Sequence, residues 1–447
     1  MRSSNNMNLF KTLKDIWNIE ELRQKILLTL GLVAVYRFMA GVPLPGIDPL
    51  QLTALKESAA GGILGLLNAF TGGAFSRASI MALGIMPYIS ASIVVQLMGI
   101  AVPYLQKLQK DGESGRKKIT QITRWLTILI TMVQGPTYIT AIMTQFDLPA
   151  EAFLVDGPTF WISSMILLTS GTIFAMWLGE RITDKGVGNG ISLLITVGII
   201  ANFPSAFLQE FVAKTTNTEA GGYMMILIEI FVWFIVILLC VYLVTAVRKI
   251  AVQYARRKVS GGALQNVAGS RDYIPLKLNA AGVMPIIFAQ AIMFLPAYIG
   301  RKYPDLAELQ DINGLWYNIL FAVLIIIFSY FYTAITIPTN KMAEDLKKSG
   351  GFIPGIRPGK DTADRLDTVL SRITFPGSLF LAGLSILPAI VVQFGVQQSW
   401  ALFFGGTSLI IMVGVAIDTI QQINSYLLNR HYDSLMKSGT SNRKTVK

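Results

Sequence analysis

The sequence is poor in the residue types that build most catalytic and metal sites. Its 447 residues include one cysteine, Cys240, and one histidine, His431. A single cysteine excludes an intramolecular disulfide and argues against a thiolate metal site, and a single histidine argues against a histidine-based catalytic triad. No GxxxxGK[ST] loop occurs, so the chain carries no P-loop for a nucleotide. We therefore expect no metal, no cofactor and no enzymatic activity, with any energy supplied by a partner.

Charge is also scarce, whereas apolar residues are abundant. Charged residues make up 14% of the chain and hydrophobic residues 53%, which is too apolar for a soluble fold of this length. Apolar runs of about 20 residues, the length that crosses a bilayer, recur along the chain. The sequence predicts an all-α polytopic membrane protein with ten spans, at about 24–42, 76–98, 122–143, 160–179, 189–209, 223–247, 279–299, 316–337, 373–394 and 401–423.

Lysine and arginine indicate the orientation of these spans, because both residues concentrate in cytoplasmic loops. An even number of spans places both termini on the same side of the membrane. If that side is the inside, nearly all of the 38 lysines and arginines are cytoplasmic. We therefore predict that both termini are cytoplasmic. The outer side then holds only Arg37, Lys56, Arg77, Lys214, Arg301 and Lys302.

Ten spans divide into two halves of five. Because five is an odd number, the second half enters the membrane from the opposite side, which is the inverted-repeat geometry of many transport proteins. The second span of each half carries similar text, ALGIMPYISA at 82–91 and AAGVMPIIFA at 280–289. Either repeat homology or chance similarity between two apolar segments explains this match. We predict a cytoplasmic segment at 1–23, an N-terminal half at 24–209, a C-terminal half at 210–423 and a cytoplasmic tail at 424–447.

Residues 61–77, GGILGLLNAFTGGAFSR, are apolar but too short to cross a bilayer. A run of this length is typical of a re-entrant or interfacial segment. Irregular backbone at membrane depth is tolerated only where protein or a water-filled cavity surrounds it. The sequence therefore favours a segment that dips from the outer face into a cavity, and a segment that rests on the outer membrane surface is the alternative.

The second span begins with GIMPYISASI at 84–93, which combines helix-breaking and polar residues with isoleucines at helical spacing. Pro87 removes a helix hydrogen bond and Gly84 loosens packing. Ser90 and Ser92 can satisfy the freed backbone groups or face water. Such a helix suits a movable wall beside a cavity better than a fixed position in lipid, although an isoleucine stripe by itself indicates only packing.

Five segments carry a family resemblance. They are ALGIMPYISASIVVQL from residue 82, DGESGRKKI at 111–119, MWLGERITDKGVGNGIS at 176–192, FIPGIRPGK at 352–360 and FGGTSLII at 404–411. Their order and spacing resemble those of the SecY family, the central subunit of the protein-conducting channel, over about residues 20–435. The resemblance is to the bacterial or plastid branch. It implies a clamshell of two five-span halves in the bacterial cytoplasmic (inner) membrane that conducts unfolded secretory proteins.

The resemblance also implies how the channel closes. In the family, a ring of aliphatic side chains and a short plug seal the pore. A narrow apolar constriction offers water and ions no hydrogen bonds and therefore gates by dewetting, although each isoleucine alone indicates ordinary packing. Carried over through the motifs, the ring falls on Ile85, Ile89, Ile191, Ile195, Ile287 and Ile411. The plug corresponds to about 64–75, with Leu64, Leu67, Asn68, Phe70, Gly72 and Gly73.

A lateral gate is a further implication of the resemblance. In the family, a seam between spans two and three of one half and spans seven and eight of the other opens toward the lipid bilayer. Signal peptides and transmembrane segments of nascent membrane proteins leave through it. We predict that Gln96 and Asn279 hydrogen-bond across the closed seam, and the alternative is that both face the cytoplasmic vestibule.

Two long loops, 248–278 and 338–372, carry seven basic residues each. In the family these loops dock the ribosome and the SecA ATPase, and Arg357 in RPGK matches the loop arginine. Basic residues suit contact with ribosomal RNA, while the positive-inside bias alone also explains basic loops. The remaining docking residues predicted are Arg256, Arg257 and Lys258. The resemblance further implies SecE and SecG as partner subunits.

Two other classes of protein compete with this interpretation. An ion-coupled solute transporter or flippase ordinarily needs ionisable residues at mid-membrane. The candidates here, Glu229 and Asp418, fall near the ends of spans six and ten, where they can pair or reach an interface. An intramembrane protease is disfavoured by the scarcity of histidine and by the lack of paired aspartates or a serine-based motif in facing spans.

Overall fold

The structure, a computed structural model, divides the chain into two compact units. The first unit comprises Met1–Leu208 and Val415–Lys447, and the second comprises Gln209–Gly414. The residues that the structure describes are 17–48, 52, 62–145, 153–154, 157–216, 222–254, 271–279, 281–290, 292–293 and 311–441.

Helices dominate the first unit. Helix α1 has two glutamates in its first turn and Arg37 in its last, a placement that the helix dipole favours at both ends. The chain turns by 102° between α3 and α4, where Pro103 lacks the N–H that a continuous helix needs. The helices of this unit are α1 (Glu20–Met39), α2 (Gly62–Thr71), α3 (Met86–Ala101), α4 (Pro103–Lys110), α5 (Gly112–Gln145), α6 (Pro158–Lys185) and α7 (Gly190–Thr216), whose end passes into the second unit.

A core cluster of the first unit forms around two irregular segments, 42–48 and 75–82, together with Leu52. Their backbones pair, because Leu44 N donates to Ala78 O at 2.8 Å and Ile80 N donates to Val42 O at 3.0 Å. Side chains of α5 and α6 close over this pair. Loops at this depth are possible because protein, rather than lipid, surrounds them. The buried side chains of the cluster are Leu44, Ile47, Leu52, Phe75, Ala78, Ala82, Tyr138, Ile139, Ile142, Phe160 and Leu168.

The second unit combines helices with one small sheet of order β2-β1-β3. Strands β1 and β2 pair antiparallel from Val247↔Lys277 to Gln253↔Arg271. The loop predicted at 248–278 therefore contains a hairpin, and this sheet is the exception to the predicted all-α fold. The elements are α8 (Gly222–Thr245), β1 (Val247–Tyr254), β2 (Arg271–Lys277), a helical segment at 284–290, α9 (Leu315–Thr336), α10 (Thr339–Lys348), β3 (Gly351–Phe352), α11 (Lys360–Gln393), α12 (Gln398–Ala401) and α13 (Gly406–Ser441), whose residues from Val415 belong to the first unit.

Seven helices in the described residues are long and apolar enough to cross a membrane, and the bent pair α3 and α4 raises the number to eight. Only 22% of the most apolar stretch of Gly222–Thr245 is buried within the chain, so this helix presents apolar side chains outward, as a lipid-facing span does. The first predicted span corresponds to α1. The seventh predicted span is 279–299, and most of its C-terminal half lies outside the described residues.

Candidate functional site

The predicted plug is a short helix, α2, followed by a glycine-rich turn. Gly72 and Gly73 adopt φ angles of +65° and +85°, which glycine tolerates and other residues avoid. The side chain of Asn68 stabilises this turn, because its Oδ1 accepts a hydrogen bond from Ser76 N at 3.1 Å. Phe70 is buried. Leu64 and Leu67 fall on the helix, and their side chains lie outside the described residues.

One face of α7 carries two predicted ring isoleucines together with the residues that touch α2. Ile191, Ile195, Gly198 and Asn202 follow one another at steps of four, three and four residues, which is the spacing of one helix face. A Cβ added at Gly198 would lie 2.6 Å from Phe70 O. Asn202 Nδ2 donates to Asn68 O at 3.3 Å. The end of α2 therefore packs against the face of α7 that presents both isoleucines.

The same end of α2 lies beside the start of α3. A Cβ added at Gly84 would lie 3.1 Å from Cγ2 of Thr71, the last residue of α2. Ile85, the next residue after Gly84, is buried and precedes α3, and Ile89 is half-buried in the first turn. Four predicted ring isoleucines thus lie on α7 or at the start of α3, and both places are close to the end of α2.

The other two ring candidates belong to the second unit. Ile287 is half-buried in the helical segment at 284–290, and Ile411 is buried in α13. Each is described within its own unit, and a ring of all six isoleucines stays a prediction.

The predicted gate residues are placed separately as well. Gln96 is half-buried and its Nε2 donates to Ser92 Oγ of its own helix at 3.4 Å. Asn279, in the second unit, is buried, and its Oδ1 accepts no hydrogen bond from the described residues. Gln96 and Asn279 belong to different units, and a hydrogen bond between them stays a prediction.

Arg357 lies at the tip of a tight turn in the second unit. Its side chain is exposed, and its carbonyl accepts a hydrogen bond from Thr362 Oγ1 at 2.8 Å. Gly355 and Gly359, on either side, have φ angles of +82° and +113°. This turn holds the guanidinium out toward solvent. The other docking candidates, Arg256, Arg257 and Lys258, lie outside the described residues.

The sequence predictions missed two side chains of neighbouring helices that hold the predicted plug segment. Tyr138 of α5 donates its hydroxyl to Phe75 O at 2.8 Å, and Arg37 of α1 donates from Nη1 to Gly72 O at 3.0 Å. An arginine within an apolar span is a signal that could have drawn attention to Arg37. Tyr138 offers no such signal, because a tyrosine in a span is common.

A second missed feature is a buried charge cluster in the second unit. Lys214 Nζ lies 3.6 Å from Glu210 Oε1 and 3.5 Å from Glu229 Oε1, and all three side chains are at most 6% exposed. The ammonium also donates to Gly395 O at 2.8 Å, and Glu210 Oε2 accepts from Gln397 N at 2.8 Å. The cluster joins α7, α8 and the turn before α12. Glu229, a candidate for ion coupling, is thus paired with a lysine.

These features define a class of protein: a polytopic helical membrane protein in which a short helix folds back against two spans. Comparison with known proteins narrows the class. The SecY family model matches residues 79–420. Protein translocase subunit SecY of Aquifex aeolicus (strain VF5) is 39% identical over 434 residues, covering 95% of this chain and 99% of the relative. Its counterpart in Haemophilus influenzae is 39% identical over 430 residues, covering 93% and 94%. The chain belongs to the SecY family.

Solved structures share the fold. One described as "The structure of a protein conducting channel" has a TM-score of 0.56 at 20% identity, covering 90% of this chain and 91% of that one. Sec61 in the canine ribosome-channel complex has a TM-score of 0.51 at 18% identity, with the same coverage. The ten spans predicted from the sequence are consistent with this fold.

Proposed function

We propose that this chain is the central channel subunit of a Sec protein translocase. It conducts unfolded secretory proteins across the membrane and releases transmembrane segments sideways into lipid. The observation that carries the proposal is the packing of α2 against the isoleucine-bearing face of α7, within a chain of the SecY family. A short helix at the end of an apolar constriction is the arrangement that a plug requires.

The six isoleucines seal the resting channel by dewetting. Isoleucine offers water and ions no hydrogen bond, and its β-branched side chain is stiff at χ1. The same side chains surround an extended polypeptide of any sequence, because dispersion contacts do not depend on residue type. Gln96 and Asn279 hold the lateral gate closed until an apolar segment displaces them. Such a segment gains about 0.8 kcal/mol for each CH₂ that it buries in lipid.

Partners supply the driving energy. The exposed Arg357 and the basic cluster at 256–258 dock the SecA ATPase or a translating ribosome, and SecE and SecG complete the complex. Proteins of the same fold bind ribosomes, as in the canine Sec61 complex and the yeast Ssh1 complex bound to the 80S ribosome. The distribution of lysine and arginine supports cytoplasmic termini. The 39% identity to bacterial SecY subunits supports a location in the bacterial inner membrane. The predicted halves, 24–209 and 210–423, move apart to open the pore.

A crosslinking experiment tests the channel role. In a Cys240→Ser background, Ile89→Cys is combined with a precursor that is stalled by a folded domain and carries a cysteine at successive positions. The complex is reconstituted with SecE, SecG and SecA, and disulfide formation is measured. Ile89→Cys should capture the precursor. The matched control is Phe231→Cys on α8, where the native side chain is 63% exposed. Capture at Phe231→Cys alone would refute the proposal.

A further inference from the structure

We propose that Arg37 and Asn202 form a latch that holds the plug helix α2 in its closed position and that sets how often the resting channel opens. The latch rests on the channel function proposed above, since it has a role only if α2 is a plug. Arg37 belongs to α1 and Asn202 to α7, so the latch ties α2 to two spans.

The latch acts at the C-terminal end of α2, where a helix carries a partial negative charge. Asn68 O also accepts hydrogen bonds from Gly73 N at 2.9 Å and from Thr71 Oγ1 at 3.2 Å, so the bond from Asn202 is an additional one. Arg37 Nη1 donates to Gly72 O at 3.0 Å, and Asn202 Nδ2 donates to Asn68 O at 3.3 Å. A hydrogen bond from a charged donor is roughly twice as strong as a neutral one. The guanidinium therefore provides both the charge and the donor that this end of the helix favours.

The backbone of α2 approaches the spans too closely for a larger residue to replace glycine at the latch. A Cβ added at Gly72 would collide with Arg37 Nη1 and would lie 2.8 Å from the Cα of Gly198. Gly72 also has a φ of +65°, so any other residue there is strained. Because Gly72 has no side chain, the guanidinium of Arg37 reaches its carbonyl directly.

The two latch bonds break when α2 moves away from the spans, whereas the other hydrogen bonds of residues 61–77 can persist. The bond from Ser76 N to Asn68 Oδ1 lies within the segment and can move with it. The bond from Tyr138 to Phe75 O lies in the buried core cluster and anchors the base of the segment. The bonds from Arg37 and Asn202 connect α2 to separate spans, so displacement of α2 breaks them. Their strength therefore contributes directly to the closed state.

Resting conductance tests the latch. The complex with SecE and SecG is placed in a planar bilayer without precursor, and channel openings are counted. Arg37→Met should raise their frequency about tenfold, the effect of losing one charged hydrogen bond. Asn202→Ala should raise it less. Arg37→Lys should lie between wild type and Arg37→Met, because the ammonium can still donate to the carbonyl. The matched control is Arg116→Met, which removes an exposed arginine of α5.

Thiol accessibility gives a second readout. Ser76→Cys in the Cys240→Ser background is buried next to the latch and should react slowly with a membrane-impermeant maleimide. Adding Arg37→Met should accelerate the labelling reaction about tenfold, the same factor by which it raises the frequency of channel openings. Unchanged conductance and unchanged labelling in Arg37→Met would overturn the latch, as would an equal effect of Arg116→Met. Failure of the complex that carries Ile89→Cys, with Arg37 and Asn202 unchanged, to capture a precursor would instead overturn the channel role itself.

Discussion

The buried charge cluster of the second unit contains one lysine and two glutamates. This composition predicts which substitutions in the cluster destabilise the protein most. Lys214 is the only cation among three buried charged side chains in the described part of this cluster, and it faces two carboxylates at 3.6 and 3.5 Å. Neither oxygen of Glu229 accepts a well-oriented hydrogen bond from the described residues. With both carboxylates ionised the cluster has more negative than positive charge, and Lys214 supplies its single positive charge.

We expect Lys214→Met to be far more damaging than Glu229→Gln. Removing the ammonium leaves two buried carboxylates without a counter-charge, and breaking a buried ion pair in this way costs about 3–5 kcal/mol. Glu229→Gln removes the excess negative charge and leaves Lys214 with Glu210 and Gly395 O, so it should cost about 1 kcal/mol or less. Replacing all three charges, with Lys214→Met, Glu210→Gln and Glu229→Gln together, should recover most of the loss.

Thermal unfolding of the purified complex in detergent measures these differences. For a cooperative unit of about 200 residues, each kcal/mol corresponds to about 2 °C in Tm, so Lys214→Met should lower Tm by roughly 6–10 °C. The matched control is Lys117→Met, which removes a lysine at the same i,i+4 spacing from Glu113, where the side chains are 78% and 85% exposed. Exposed pairs contribute at most about 1 kcal/mol. Equal shifts for Lys117→Met and Lys214→Met, or a larger shift for Glu229→Gln, would refute the reasoning.

Three further predictions concern the pore and the docking surface. Ile195→Ser should raise resting ion conductance on the order of tenfold because a hydroxyl lets water wet the constriction, whereas Ile162→Ser, at a side chain 62% exposed, should not. Gly198→Ala should destabilise the closed plug by about 1–3 kcal/mol and increase leak, because its Cβ would meet the backbone of α2. Gly135→Ala, whose Cβ would meet only one side-chain atom at 3.9 Å, is its control. Arg357→Glu should reduce SecA-driven transport about tenfold through charge reversal at the docking surface and leave Tm unchanged, because its side chain is exposed.

Each of these predictions has a contrary outcome. An unchanged leak in Ile195→Ser would argue against a dewetting gate. A tight channel in Gly198→Ala would mean that α2 can shift without opening the pore. Transport that persists in Arg357→Glu, measured with saturating SecA and ATP, would remove this turn from the docking surface.

Local sequence patterns identified the features that depend on residues close together in the chain. Apolar runs of bilayer length predicted the spans, because every backbone group in lipid must be satisfied within its own helix. The apolar segment at 61–77 was too short to cross, which predicted a re-entrant element, and the structure places α2 there. The hairpin at 247–277 escaped prediction, because its residues were assigned to a basic loop and the three-stranded pairing involves a strand from another loop.

The sequence by itself determined the class of protein, the order of the spans and the family, since these follow from composition, local periodicity and motif text. Only the tertiary structure decided which side chains hold α2 and which charges neutralise one another. The bond from Arg37 to Gly72 joins residues 35 apart, that from Asn202 to Asn68 joins residues 134 apart, and that from Lys214 to Gly395 joins residues 181 apart. Local periodicity in the sequence does not reveal contacts at such separations, because these contacts depend on how whole helices pack against one another.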